Sequence, residues 1–118
     1  MSATDCPCGS GTSYDECCGP LHRGRRQADT PEELMRSRFS AYALGLADYV
    51  FRTWHPRTRP DDVTLTGSPR WVRLEVIATT GDTVEFHAHH ADPDGLLHET
   101  SRFERRAGRW FYVDGDVD

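Results

Sequence analysis

The cysteines are the residues of this chain whose type and spacing most directly indicate chemistry. Cys6, Cys8, Cys17 and Cys18 follow the pattern C-x-C-x8-C-C, and the chain of 118 residues contains no other cysteine. Four thiolates at such short spacing match the ligand set of a closed, tetrahedral zinc site. We therefore predict that these four residues bind one Zn2+ ion, which leaves no open coordination position for a substrate.

Two other interpretations of the cysteine cluster compete with zinc. Disulfide bonds need an oxidising compartment, and Cys6 with Cys8, or Cys17 with Cys18, would reach bonding geometry only with strain. Unliganded thiols would have to be buried, and residues 5–19 contain almost no apolar side chains to bury them. We favour zinc, or a similar soft metal in its place, because metal binding requires neither an oxidising compartment nor apolar side chains around the thiols.

The residues between and after the ligands suit a metal site. The Gly9-Ser10-Gly11 segment can adopt positive φ angles, which would turn backbone N–H groups towards the sulfur atoms. Such donors are needed because four thiolates leave the site with a net negative charge. Three arginines follow, and they either lower this charge or belong to a solvated connector: Arg23, Arg25 and Arg26.

The segment CPCGSGTSYDECCG, residues 6–19, resembles a SEC-C motif, the zinc-binding tail first described on the SecA translocase. The resemblance covers the ligand spacing and the Gly-Ser-Gly turn, with Cys18 at a position where SecA-type copies usually have His. SEC-C motifs usually carry lysines between the second and third ligands, whereas this chain has none between Thr12 and Glu16. We therefore do not expect the acidic chaperone partner that the SecA tail binds.

Helices are predicted directly after a polar connector, residues 21–29. Thr30 and Glu33 have the spacing of a capping box, and Pro31 occupies the favoured first helical position. Four residues behind them share one helical face: Met35, Phe39, Tyr42 and Leu46. A second, short helix is predicted for residues 47–54. It ends there because the proline of the following His-Pro pair disfavours helix in the residue before it.

The sequence after Pro69 changes to a period of two, which predicts strands. In the first strand we expect four residues to face inwards: Val72, Leu74, Val76 and Ala78. Val84, Phe86 and Ala88 form the inner side of the second strand, and residues 96–105 and 109–113 form two more. Short turns between four strands predict an antiparallel meander, and helices before strands predict an α+β fold with the helices on one sheet face.

Two longer segments, TPEELMRSRFSAYALGLADYVFRTWHPRTRP and LHETSRFERRAGRWFYVDGD, resemble the YchJ family of bacterial proteins. The resemblance covers nearly the full length and implies a SEC-C motif in residues 1–20, then a cone-shaped nuclear transport factor 2-like domain in residues 30–118. It implies no agreed biochemical activity. We expect the domain to fold without the first twenty residues, because its helix and strands can bury a core of their own.

A cone-shaped domain can hold a ligand between its sheet and helices, and seven polar or aromatic residues could reach that space: Arg36, Arg38, Tyr42, Trp54, His55, His98 and Glu99. Each also has a purely structural interpretation; the two arginines, for example, could pair with Glu99 or Glu104. Glu99 with Tyr42 or His98 could act as a base and an acid. We expect binding rather than catalysis, because no cysteine lies outside the cluster and no phosphate-binding loop is present.

The histidines of the second strand raise the question of another metal. His87 and His89 share a strand face, and Glu85 on the same face is the nearest third ligand. A solvent-facing strand surface explains the same alternation, and we favour that interpretation.

Composition limits the class of partner. The net charge of −5 argues against a nucleic-acid partner, and no apolar run approaches the roughly 20 residues of a membrane span. The segment from Met1 to Gly11 lacks the pattern of a signal peptide, so we expect a cytoplasmic protein. We predict a zinc-binding adaptor that meets a protein partner through its zinc motif. The alternative is a small-molecule or enzymatic pocket, with the zinc purely structural.

Overall fold

The computed structural model of the chain describes residues 5–118, so the first four residues of the predicted motif 1–20 lie outside the described residues. Four helical segments come first: a short 3-10 helix (Tyr14–Glu16), α1 (Cys18–His22), α2 (Pro31–Leu44) and α3 (Ala47–Arg52). Four strands follow: β1 (Arg70–Thr80), β2 (Thr83–Ala91), β3 (Gly95–Arg106) and β4 (Arg109–Val117). This order confirms the predicted α+β fold, although α3 ends two residues earlier than expected. No helix within residues 5–118 is long and apolar enough to cross a membrane.

Helix α2 begins and ends where its sequence predicts. The hydroxyl of Thr30 accepts a hydrogen bond from the Glu33 backbone N–H at 3.1 Å, and Pro31 occupies the first turn. The Glu33 carboxylate returns to the N–H of Asp29 at 2.7 Å rather than to that of Thr30, so the capping box is displaced by one residue. Gly45 ends the helix in the left-handed conformation, with φ of 76°, which a residue without Cβ adopts at little cost.

The sheet is an antiparallel meander in which the strands lie in the order β1-β2-β3-β4. Strand β2 keeps the predicted alternation: Val84, Phe86 and Ala88 are buried against the helices. Glu85 and His87 alternate with them and face the other side of the sheet, as the period of two requires.

The prediction for β1 is wrong at two positions, and β-bulges are the reason. Trp71 pairs with His90 and Arg73 pairs with His89, so Val72 is an extra residue and 48% of its surface is exposed. A second bulge between Val76 and Ala78 leaves Ala78 exposed as well. Each bulge adds one residue to the strand and inverts the alternation beyond it. Trp71, which alternation placed outside, therefore packs against the core.

The core lies between α2 and the sheet. Leu34 and Phe39 of α2 pack with Phe86 and Phe103 of the sheet in one buried cluster. Leu21 and Ala28, which are only 4% and 9% exposed, belong to the same cluster, although both fall in the predicted polar connector. Burying a leucine side chain contributes about 1.5–3 kcal/mol, so this segment is part of the folded domain rather than a free linker.

Candidate metal centre and cavity

The structure brings the four cysteines together. Their Sγ atoms all lie within 4.8 Å of one another, with 3.6 Å between Cys8 and Cys17 and 3.9 Å between Cys17 and Cys18. A tetrahedral ion with sulfur at about 2.3 Å would separate its ligands by about 3.8 Å. All four cysteines are free thiols. The donor set and the spacing therefore fit a four-coordinate metal ion.

Local turns place the ligands. Gly9 and Gly11 have φ angles of 80° and 84°, and they reverse the chain so that the N–H of Cys6 donates to the carbonyl of Thr12 at 3.0 Å. Residues with a Cβ rarely adopt such angles, so the predicted role of the glycines in the turn is confirmed. The 3-10 helix then carries the chain to Cys17, from which α1 begins at Cys18.

Helix α2 covers the cluster. Cys6, Cys8 and Cys18 are 4%, 0% and 1% exposed, although their own segment has few apolar side chains. The Ser40 hydroxyl lies 3.3 Å from Cys18 Sγ and 3.5 Å from Cys6 Sγ, and the Arg36 guanidinium donates to the Cys8 carbonyl at 2.9 Å. The cysteines are thus buried by α2, which lies well beyond them in the sequence. The composition of the cysteine segment itself did not indicate this burial.

The predicted donors to sulfur are partly wrong. Within residues 5–118 the side-chain hydroxyls close to the sulfur atoms are those of Ser40, and of Ser10 at 3.2 Å from Cys17 Sγ; the backbone of Cys8 also bonds the Cys6 thiol. The N–H of Gly9 donates to the Cys6 carbonyl at 3.1 Å instead of to sulfur. Sequence reasoning missed Ser40 because it lies 22 residues beyond Cys18 and has no distinguishing pattern around it.

Among residues 5–118, none of the side-chain hydrogen bonds of the arginines after the motif goes to a sulfur atom. Arg23 donates to the Asp15 carboxylate at 2.5 Å, and Arg26 forms an ion pair with Glu33. Arg25 is exposed. The interpretation of these arginines as a solvated, locally paired connector surface therefore fits better than a role in charge neutralisation.

Proton sharing among the thiols shows why the cluster needs a cation. A hydrogen bond with Cys18 lowers the pKa of Cys6, and the reciprocal bond with Cys6 raises the pKa of Cys18. Cys8 also bonds Cys18, which lowers its pKa, yet its bond with Cys6 and its burial outweigh this and raise the pKa to about 11. Ionised sulfur atoms this close repel one another, so only a bound cation can hold all four as thiolates.

A second possible site is a cavity of about 200 Å3 between α2 and the sheet. Twelve residues line it: Met35, Arg38, Phe39, Tyr42, Trp54, Trp71, Phe86, Ala88, Leu97, Glu99, Ser101 and Tyr112. Four of the seven residues predicted to reach such a space do so, namely Arg38, Tyr42, Trp54 and Glu99. Sequence reasoning missed Trp71, because the bulge in β1 turns it inwards.

Arg38 is a buried cation that forms no ion pair with a carboxylate in the described part of the chain, residues 5–118. It is 3% exposed, and its Nη1 donates to the Val50 carbonyl at 2.9 Å and to the Thr53 hydroxyl at 2.7 Å. The guanidinium carbon also lies 5.3 Å and 4.5 Å from the ring centroids of Trp54 and Tyr112. The alternative pairing of Arg38 with a glutamate is therefore wrong, because these oxygens and aromatic faces hold the cation instead.

Glu99 is held on the sheet side of the cavity. Its Oε2 accepts hydrogen bonds from the Ser101 hydroxyl at 2.6 Å and from the Tyr112 hydroxyl at 3.1 Å. Burial and the neighbouring Glu99 raise the pKa of Tyr112, which keeps this phenol a donor. The indole N–H groups of Trp54 and Trp71 are buried and have no hydrogen-bond partner among residues 5–118. Both indole nitrogens are closed to water on every side, so neither offers a donor to the cavity.

The other three pocket candidates lie elsewhere. Arg36 serves the metal loop and also pairs with Glu32 at 3.0 Å. His55, only 6% exposed, bonds Glu104 through Nε2 at 2.7 Å, which fixes the chain after α3 to the sheet. His98 lies 2.7 Å from Glu85.

The histidine face of β2 does not form the chelate considered from the sequence. His89 bonds Glu75 at 2.6 Å, whereas Glu85 is engaged by His98. Among residues 5–118, the four cysteines are the one group of three or more His, Cys, Asp or Glu side chains close enough to hold an ion. The histidines therefore form cross-strand pairs on the sheet face away from the core.

The sequence matches two described families. Residues 30–115 match the middle NTF2-like domain of YchJ, and residues 5–20 match the SEC-C motif. A UPF0225 protein of Deinococcus radiodurans is 53% identical over 92% of this chain and 86% of its own length. A UPF0225 protein of Streptomyces coelicolor is 47% identical over 98% of both chains.

Two solved structures have the same fold. The solution structure of a SEC-C motif containing protein from Rhodopseudomonas palustris has a TM-score of 0.84 and 38% identity, over 96% of this chain and 98% of its own. The crystal structure of a SEC-C motif containing protein from Psychrobacter arcticus has a TM-score of 0.77 and 29% identity, over 99% and 84%. These likenesses confirm the nuclear transport factor 2-like architecture with a SEC-C motif.

Proposed function

The chain belongs to the YchJ family, and from that premise we propose that it is a small-molecule-binding protein whose four cysteines hold a structural zinc ion. The observation that carries the proposal is the cavity between α2 and the sheet, whose largely aromatic lining includes one cation, Arg38, and one carboxylate, Glu99. Ligand sites are typically apolar cavities with a few convergent polar groups. The cavity has this composition, and the metal centre does not.

Zinc is the proposed metal because four thiolates complete its tetrahedral shell. Such a site is closed, so the ion holds the two ends of the N-terminal motif together and does not meet a substrate. The ligands would be Cys6, Cys8, Cys17 and Cys18. The proposal includes a cytoplasmic location, since thiols stay reduced and available to zinc there.

Elemental analysis of the purified protein tests the zinc assignment. We expect about one equivalent of zinc per chain. A variant with both Cys17→Ser and Cys18→Ser should lose it. A purified wild-type protein that contains no metal and keeps ordered, reduced thiols would contradict the assignment.

A cavity-filling substitution tests small-molecule binding. Leu97 lines the cavity, whereas the adjacent Leu96 is 53% exposed. We expect fragments of single-ring size, detected by ligand-observed NMR, to bind the wild type and a Leu96→Phe control. The same fragments should lose binding in Leu97→Phe, in which the larger side chain occupies the space. The proposal is wrong if no fragment binds, or if Leu97→Phe binds as well as the control.

A protein partner at the metal loop is a second candidate function. Asp15 and Glu16 are exposed on a loop that the metal site would hold rigid, and rigid loops bind with a lower ordering cost. The hydroxyl of Tyr14 bonds His22 at 2.6 Å, and the Arg23 guanidinium carbon lies 5.8 Å from its ring centroid, so Tyr14 offers a partner one half-buried ring edged by a cation. Reversing both acidic residues to Lys should weaken binding of such a partner without changing the zinc content. Unchanged binding of every captured partner would exclude this surface.

A further inference from the structure

We infer that the cavity ligand is a neutral, planar, single-ring heterocycle that carries carbonyl acceptors and a ring N–H donor, in other words a cyclic amide or imide. This inference rests on the proposed function of the cavity as a ligand site. Three properties of the lining lead to it: shape, charge balance, and the count of free donors and acceptors.

The size and walls of the cavity select a single flat ring. Its volume is about 200 Å3, and a dry cavity of about 150 Å3 in another protein holds benzene. Six of the twelve lining side chains are aromatic: Phe39, Tyr42, Trp54, Trp71, Phe86 and Tyr112. Aromatic faces stack well on planar rings, and the volume is of the order that one such ring occupies.

The charge of the lining selects a neutral ligand. Arg38 and Glu99 are the charged side chains among the lining residues, and their charges are opposite. A ligand with a net negative charge would approach Glu99, and one with a net positive charge would approach Arg38. Each kind of ion would therefore be attracted by one of the two side chains and repelled by the other, so neither ion is favoured.

The hydrogen-bonding groups select carbonyl oxygens with an adjacent N–H. The hydrogen bonds that Arg38 donates to described residues use Nη1 alone, which leaves Nη2 and Nε as donors without a partner among residues 5–118. On the other side, Glu99 receives its two donors at Oε2, which leaves Oε1 without a donor among residues 5–118. The free groups are therefore mainly donors, with one carboxylate oxygen beside them. A cyclic amide or imide offers the complementary set.

The indole N–H signals of 15N-labelled protein report directly on the cavity, because each tryptophan gives one resonance. Trp54 and Trp71 line the cavity, whereas the N–H of Trp110 donates to the Asp29 carbonyl at 3.2 Å and serves as an internal control. Uracil is the probe, because it is a neutral single-ring imide. We expect saturable shifts of the Trp54 and Trp71 signals and no shift of the Trp110 signal.

Three matched probes test the chemical class. 1,3-Dimethyluracil keeps both carbonyls but lacks N–H groups, and it should bind at least about tenfold more weakly because Glu99 then gains no donor. Benzoate and toluene should not shift the indole signals at the concentrations at which uracil saturates. If either of them shifts Trp54 and Trp71 as strongly as uracil, the cavity is a ligand site but the proposed class is wrong. If no probe shifts these signals, both the proposed ligand class and the proposed function are wrong.

The variant Glu99→Gln tests the charge argument separately. It keeps the size of the side chain and removes the anion, so it should weaken uracil binding and make benzoate bind. Glu104→Gln is the control, because Glu104 bonds His55 and Arg57 outside the cavity. Unaltered preference for uracil over benzoate in Glu99→Gln would overturn the inference that charge balance selects the ligand.

Discussion

At the scale of single residues, Ser40 joins the metal centre to the domain. It is fully buried on α2, and its hydroxyl reaches the sulfur atoms of both Cys6 and Cys18. Donors to coordinated sulfur lower the charge that the metal site must carry, and they fix the direction of the ligands. A serine in an amphipathic helix gives no sequence signal for this role, so only the folded arrangement reveals it.

The substitution Ser40→Ala should therefore weaken metal retention. Loss of a polar contact to metal ligands typically costs about 10- to 100-fold in affinity, and we expect zinc transfer to a chromophoric chelator to be at least about tenfold more favourable. Ser37→Ala is the matched control. Ser37 is equally buried on the same helix, but its hydroxyl contacts Leu34 and Tyr49 rather than sulfur. Equal zinc retention in the two variants would contradict the role of Ser40.

We expect His22 to make folding stability depend on pH. Its ring lies between the Tyr14 hydroxyl at 2.6 Å and the Ser37 carbonyl at 2.8 Å, and burial lowers its pKa below the ordinary value of 6.5. The unfolded state therefore takes up a proton at higher pH than the folded state does. As the pH falls below about 6.5, the free energy of unfolding should decrease.

Urea unfolding of His22→Gln at pH values from 7 to 5 measures this contribution. We expect a shallower loss of stability than in the wild type over this interval, because the variant has no group to protonate at this position. Identical slopes would show that His22 protonates equally in the folded and unfolded states.

At the scale of the elements, two sides of α2 contribute to different sites. Arg36 and Ser40, which are four residues apart and so lie on one side of the helix, face the metal loop. Arg38, Phe39 and Tyr42 lie on another side and line the cavity. The helix that covers the metal centre is therefore also a wall of the cavity, and its position fixes both.

The variant Thr30→Ala should destabilise α2. The Thr30 hydroxyl caps the first turn through the Glu33 N–H, and loss of such a cap typically costs about 1 kcal/mol. Thr64→Ala is the control, because Thr64 is exposed and lies outside helices and strands. Chemical unfolding followed by circular dichroism would measure the difference. A loss in Thr30→Ala no larger than in the control would show that the cap does not stabilise the fold.

Local patterns predicted most elements, and long-range contacts account for what they missed. The bounds of α2 follow from a cap, a proline and a glycine within the helix itself. The inner face of β2 follows from alternation alone. In contrast, the bulge at Val72 depends on how β1 pairs with β2, and nothing within β1 signals it. The cavity residue Tyr112 is likewise far along the chain from Arg38, whose guanidinium lies over the Tyr112 ring.

At the scale of the whole molecule, the metal motif has a buried cluster of its own, and the segment that follows it packs in the core of the domain. Leu21 follows the motif directly and packs with residues of α2 and the sheet. The sequence predicts that the domain from residue 30 folds without the motif, and the sheet and α2 do contain most of the core. The position of Leu21 nevertheless means that residues just after the motif contribute to the stability of the domain.

The variant Leu21→Ala measures this contribution. We expect a loss of about 2–4 kcal/mol in the free energy of unfolding, because the side chain is buried and its removal leaves a cavity. Arg25→Ala, at an exposed position of the same segment, should change stability by less than about 0.5 kcal/mol. Equal stability of both variants would mean that residues 21–29 are a linker after all.

The central claim is that the metal centre is closed and structural while the cavity binds the ligand. The visible absorption spectrum of the cobalt-substituted protein tests it most directly, because the bands of Co2+ respond to any change of ligand. We expect the spectrum of a tetrahedral four-thiolate site, unchanged when uracil saturates the Trp54 and Trp71 signals. A spectrum that changes as uracil is added would place the ligand at the metal and contradict the account.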